Sequence, residues 1–168
     1  MERTGKIMWV IFCCLILAAL TYYFDDKISE RLNPNQRVQS IVNSQKTSIV
    51  LQQNKQGHYV ASGIINDKPV NFLLDTGATL ISIPLNLAPQ LNLSLGESYP
   101  VSTANGKVTV FSTNIDSLKI GALAFENLEG NLNPGMKGNT ILLGMNALKH
   151  LELIQQNNTL TISTPTYE

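Results

Sequence analysis

The sequence predicts an all-β domain with one or two short helices, preceded by a single membrane-spanning helix and a polar tether. Three observations predict it. Near the N-terminus an uncharged apolar run lasts 18 residues. After residue 46 the chain becomes a series of Val/Ile/Thr/Leu-rich runs of five to eight residues separated by turn-forming residues. The whole chain has 168 residues, 43% hydrophobic, which is enough for one domain with a core and too short for two.

Residues 1–6 form a short tail that carries Arg3 and Lys6. Residues 7–24, IMWVIFCCLILAALTYYF, follow without a charge. At 1.5 Å per residue this run reaches about 27 Å, near the thickness of a hydrocarbon core. Trp9 at one end and Tyr22 and Tyr23 at the other suit the two membrane interfaces. A cleaved signal peptide is the rival reading, because Arg3 and Lys6 make a basic leader; the length of the run and the lack of an A-x-A-like site after it favour an anchor. Large downstream domains translocate largely regardless of charge, so the N-terminus is expected inside. Both cysteines, Cys13 and Cys14, fall in the run and read as helix filler, leaving the rest of the chain without a disulfide or thiolate site.

Residues 25–46, DDKISERLNPNQRVQSIVNSQK, are polar and contain Pro34. They offer few groups to bury and predict a tether with short helical pieces. Residues 47–168 make up the domain. Strands are expected at Ser48–Asn54, His58–Asn66, Pro69–Asp75, Thr79–Ile83, Tyr99–Thr103, Lys107–Thr113, Ile115–Ile120, Ala124–Asn131, Thr140–Leu143, Leu151–Gln155 and Thr159–Ser163. Asn66-Asp67-Lys68, Asn157-Asn158 and Asn105-Gly106 supply the turns, since Asn, Asp and Gly tolerate positive φ. A spacing of three to four between apolar residues predicts short helices at Pro84–Leu91 and Met145–Leu151.

Composition excludes several functions. Twelve Lys+Arg balance twelve Asp+Glu, and only 7% of residues are aromatic, so no basic field or stacking platform for nucleic acid exists. From Ser44 onward there are seven Lys and no Arg, against three Asp and five Glu. Without Arg, bidentate phosphate recognition is unsupported, and no glycine-rich phosphate loop occurs. His58 and His150 stand far apart without an H-E-x-x-H motif, so no metal is expected. No G-x-S-x-G elbow is present.

One constellation remains. Phe72-Leu73-Leu74-Asp75-Thr76-Gly77-Ala78-Thr79 places a carboxylate at the end of an apolar strand, ahead of a small hydroxyl residue and a glycine. Paired carboxylates hydrolyse amides without metal or covalent intermediate: one takes a proton from water while its protonated partner hydrogen-bonds the substrate carbonyl. Gly77 allows two such loops to approach closely, Thr76 can hydrogen-bond across the contact, and the strand fixes the carboxylate. Ala78 offers no hydroxyl to that carboxylate, or is a small packing residue. The bland alternatives are that Gly77 and Gly144 mark ordinary bends, and that Thr103-Ala104-Asn105-Gly106 is a hairpin with no further role.

Further along, Ile141-Leu142-Leu143-Gly144 is a second apolar strand end that leads into a short helix. Together with Gly57-His58-Tyr59, Asn66, Val70, Thr103-Ala104-Asn105-Gly106 and Met145, these blocks resemble the retropepsin-like aspartic proteases, and among them the bacterial single-pass, membrane-anchored group. The resemblance spans about residues 57–163. It implies a small closed β-barrel acting as a homodimer without a cofactor, with Asp75 catalytic in each copy and Thr76, Gly77 and Ala78 supporting its loop. It also implies a flap at Thr103, Ala104, Asn105 and Gly106 over an extended peptide, and packing of Leu142, Leu143 and Gly144 behind the site. The domain would lie in the periplasm, anchored in the inner membrane by residues 7–24.

The aspartate count agrees with a dimer. From Ser44 onward the chain holds only Asp67, Asp75 and Asp116, and neither Asp67 nor Asp116 is followed by Thr-Gly. A second copy must supply the second loop, which a two-fold axis would bring opposite the first. Two functions follow: a membrane-anchored aspartic endopeptidase, or a non-catalytic binding and dimerisation module on the same barrel.

Overall fold

A helix of 31 residues, α1 (Glu2–Leu32), leads into a β-structure whose strands follow in chain order. In the computed structural model the described residues are 2–103 and 106–165. The strands are β1 (Gln39–Val42), β2 (Thr47–Gln52), β3 (Val60–Ile65), β4 (Lys68–Leu74), β5 (Ile81–Pro84), β6 (Ser98–Thr103), β7 (Gly106–Ile120), β8 (Leu123–Asn133), β9 (Thr140–Leu143), β10 (Glu152–Gln156) and β11 (Thr159–Ser163). A four-residue helix, α2 (Met145–Leu148), lies between β9 and β10.

The strands form two sheets. The larger runs β3-β4-β9-β5-β8-β7-β6, and a further pairing of β3 with β7, through Ile64 opposite Lys119 and Ile65 opposite Leu118, closes it. Closure removes the open edges that β3 and β7 would otherwise present. The smaller sheet runs β1-β2-β11-β10, antiparallel throughout. Ile49, Leu51, Leu160 and Ile162 from the small sheet join Ile65, Phe72, Ile81, Ile83, Ile115, Leu118, Leu132 and Ile141 in one buried cluster. The expected all-β class with short helices is therefore the observed one.

Local chemistry explains the connections. Two-residue loops join β3 to β4 at Asn66-Asp67 (φ 46° and 63°) and β10 to β11 at Asn157-Asn158 (φ 48° and 62°). Both are the left-handed pairs that match strand twist. Where two strands were expected, at Lys107–Thr113 and Ile115–Ile120, β7 is continuous, because Asn114 pairs with Glu129 and carries the ladder through. The helix expected at Pro84–Leu91 shortens to a 3-10 turn at Leu85–Leu87. Its apolar spacing is real, since Leu87, Ala88 and Leu91 are buried. Ala88 itself keeps helical dihedrals (φ −53°, ψ −46°) and its amide donates to the Leu85 carbonyl, but Pro89 has no N–H with which to continue the ladder. The second expected helix, Met145–Leu151, is helical only to Leu148.

The polar segment 25–46 departs most from expectation. α1 continues through it to Leu32, and the following residues pack on the barrel instead of forming a tether. Asn33 and Asn35 are buried. Asn33 Nδ2 donates to Ser62 Oγ (2.9 Å) and Asn71 Oδ1 (3.0 Å), and its Oδ1 accepts from the Asn35 amide (3.0 Å). Asn35 Nδ2 donates to the carbonyls of Gln52 (2.9 Å) and Val60 (2.6 Å), while its Oδ1 accepts from the Gln52 amide (2.7 Å). β1 then adds to the edge of the small sheet. Amides satisfy here what apolar burial does elsewhere.

Along α1 the apolar residues have no protein cover: Met8 is 67% exposed and Trp9 69%. One apolar N-terminal helix is thus long enough for a membrane span or a signal sequence.

Candidate active site

β4 ends in the apolar pair Leu73-Leu74 and delivers Asp75 to the first position beyond the ladder. Its parallel neighbour β9 places Leu143 beside Leu74. The Asp75 amide donates to the Leu143 carbonyl at 3.1 Å, which continues the pairing one residue further. The chain then reverses. The Ala78 amide donates to the Asp75 carbonyl (3.2 Å), and the Gly77 amide donates to Asp75 Oδ1 (2.9 Å). Asp75 is partly buried, whereas Thr76 and Gly77 are exposed. One carboxylate oxygen is therefore oriented by its own loop.

A second segment holds the loop from behind. The Met145 amide donates to the Ala78 carbonyl (2.7 Å), and the Asn146 amide donates to the Thr79 carbonyl (3.0 Å). Such closeness requires glycine at position 144: a Cβ there would lie 2.3 Å from the Leu80 carbonyl oxygen and 2.9 Å from that of Ala78. Both obstacles are backbone and cannot swing aside. Leu143 is buried, and Leu142 sits between Leu73 and Ser82 in the sheet. Asp75, Thr76, Gly77 and Ala78 are thus brought together with Leu142, Leu143 and Gly144.

Thr103 and Gly106 belong to a different element. They face each other across the end of the β6–β7 hairpin, where Thr103 Oγ1 donates to the Gly106 carbonyl (2.8 Å). Gly106 has φ of 108°, a value that glycine adopts without strain. Ala104 and Asn105, the other two residues of the expected flap, lie outside the described residues. Among the described residues no three His, Cys, Asp or Glu side chains gather as a metal would need.

Asn146 is a part of this site outside the sequence blocks, and Thr79 and Met145, which lie within them, have no role assigned there. Their contribution is a pair of backbone hydrogen bonds, for which side-chain identity carries little signal; position directly after Gly144 is the available clue.

Comparison with known proteins then decides the family. The family described as gag-polyprotein putative aspartyl protease matches residues 61–150, which include Asp75 and Gly144. The chain belongs to the retropepsin-like aspartic proteases. It is 26% identical over 157 residues to an uncharacterized protein encoded in the cobV 5′ region of a Sinorhizobium species, covering 88% of this chain and 67% of that one. It is 24% identical over 153 residues to an uncharacterized protein of Rickettsia prowazekii strain Madrid E, covering 86% of this chain and 64% of that one. The chain thus spans about two-thirds of the length of these relatives. Among solved structures, a retropepsin-like aspartic protease from Rickettsia conorii superposes with a TM-score of 0.58 at 21% identity, covering 76% of this chain and 96% of that one. This retropepsin-like chain accordingly has the family's closed barrel, with Asp75 at the end of an inner strand.

Proposed function

We propose that this protein is a membrane-anchored aspartic endopeptidase that hydrolyses peptide bonds between the Asp75 carboxylates of two copies. The observation that carries the reading is the fixed presentation of Asp75. Its carboxylate sits at an apolar strand end, one oxygen held by the Gly77 amide, on a loop backed by Gly144. Chemistry needs two such groups. One, ionised, takes a proton from water as the water oxygen adds to the scissile carbonyl; the other, protonated, donates a hydrogen bond to that carbonyl oxygen. Proton return to the amide nitrogen then releases the two fragments.

The remaining roles complete this reading. Thr76, Gly77 and Ala78 support the loop and its meeting with the partner copy. The family resemblance assigns Thr103, Ala104, Asn105 and Gly106 to a flap, which in this reading closes over an extended peptide and excludes water. No cofactor enters the reaction. Residues 7–24 anchor the chain in the inner membrane of a bacterium, with the domain in the periplasm; the length of the apolar run and the bacterial sources of the relatives support this. Two anchors in one bilayer confine the copies and raise their effective concentration, which favours a dimer even where its interface is small.

The test is digestion of an unbiased peptide mixture by the full-length protein in detergent, wild type against Asp75→Asn, from about pH 4 to 7.5, the range a coupled carboxylate pair can serve. Cleavage that vanishes in the variant is the expected result. A folded dimer that cleaves nothing across this range supports the non-catalytic binding and dimerisation module instead.

A further inference from the structure

The uncharged run of α1 ends at Phe24, and cations begin three residues later. At this boundary an open cavity of about 580 Å³ lies between the helix and the domain, lined by Tyr23, Phe24, Lys27, Arg31 and Lys55 together with Glu30. Tyr23, Lys27 and Arg31 are spaced four residues apart and so share one helix face. Tyr23 and Phe24 meet edge to face with ring centres 5.7 Å apart. Lys55 comes from the domain, and its place is built: Asn54 Nδ2 donates to the Leu32 carbonyl (2.9 Å), which ties the turn bearing Lys55 to the end of the helix.

Among the described residues, three cations and one carboxylate thus line a cavity flanked by aromatic rings at the level where an anchored helix leaves the hydrocarbon. The Lys27–Glu30 pair, 3.4 Å apart and half-exposed on both sides, is too solvated to retain Lys27 against a competing anion. Lys27 and Arg31 stand one helical turn apart and Lys55 comes from the domain, so helical spacing and the domain turn group the three cations. Aromatic rings beside ammonium and guanidinium groups at a membrane surface match the chemistry of a phospholipid headgroup and its glycerol backbone.

We propose that this cavity binds the anionic headgroup of a membrane phospholipid, with its phosphate against Lys27, Arg31 and Lys55 and its acyl chains beside Tyr23 and Phe24. The proposal rests on the reading of residues 7–24 as an anchor. Because Lys55 belongs to the domain and Lys27 and Arg31 to the helix, a bound lipid bridges them. It therefore fixes the height and rotation of the catalytic domain above the bilayer, and would confine cleavage to peptide segments that lie within reach of the surface.

The experiment measures lipid retained by the full-length protein purified from nanodiscs of phosphatidylglycerol and phosphatidylethanolamine in equal amounts. Wild type is expected to retain phosphatidylglycerol preferentially. Each cation removed lowers that preference about fivefold, so the triple variant Lys27→Gln, Arg31→Gln, Lys55→Gln loses it, while Lys55→Arg keeps it. Equal preference in wild type and triple variant overturns the proposal, as does displacement of the lipid by millimolar inorganic phosphate, which would assign the site to a free anion. Alkaline carbonate extraction separates the two readings. Release of wild type into the supernatant overturns the anchor and the lipid site together, whereas retention in the membrane without lipid preference overturns the lipid site alone.

Discussion

Gly144 shows how narrowly the Asp75 loop is specified. A methyl group there has no rotamer to escape into, because its obstacles are the Ala78 and Leu80 backbones. Gly144→Ala is expected to cost about 2–4 kcal/mol, in the range of overpacked or strained core sites, and to lower peptidase activity further by displacing Asp75; thermal unfolding and turnover measured together check this. Ala78 bears on acidity. A serine at that position could donate to the ionised carboxylate and favour it, so Ala78→Ser should move the acid limb of the pH–rate profile to lower pH; an unmoved or raised limb would assign Ala78 to packing. Tyr59 gives the opposite kind of prediction. Its hydroxyl is buried without a hydrogen-bond partner, so Tyr59→Phe should leave the melting temperature unchanged or raise it, and a clear drop would contradict the stated burial. Asp75 and Gly77 were legible as residues because a carboxylate before Thr-Gly at an apolar strand end is a chemical signal, whereas Gly144 was legible only through the resemblance that its block carries. The hydrogen bonds from Met145 and Asn146 were not, because a backbone amide looks alike under every side chain.

At the scale of elements, Asn33-Pro34-Asn35 joins the helix to the barrel. The Asn35 side chain stands in for a missing strand, pairing with Gln52 at the end of β2 and with Val60 at the start of β3. Its removal would leave the Gln52 amide and two carbonyls without partners in a buried place, so Asn35→Ala is expected to destabilise the domain by about 2–4 kcal/mol. Asn35→Asp is the sharper comparison: it keeps the acceptor for Gln52 but loses both donations. Thermal unfolding of the two variants reads the difference, and a change within the noise for both would contradict the clamp. The strands themselves were legible, since period-two burial and Asn-rich turns are written into the chain. The clamp was not, because a polar segment with a proline reads as solvated linker unless one knows that its amides meet strand ends. β1 was hidden for the same reason, as its residues are exposed and give no alternation.

For the whole molecule, the barrel closes on itself while the proposed chemistry does not. Each copy offers one Asp75 loop, and the described fold has no second aspartate in an equivalent setting. The number of copies per site is therefore the central claim, and titration of wild type with the inactive chain measures it most directly. Full-length wild type and Asp75→Asn would be co-expressed in varied ratio in one membrane, and peptide cleavage followed against the fraction of wild-type chains. If each site needs Asp75 from both copies, activity falls as the square of that fraction, so that half wild type gives about a quarter of the rate for random pairing. A rate that falls in direct proportion to the wild-type fraction would mean that one copy suffices and would contradict the paired-carboxylate account.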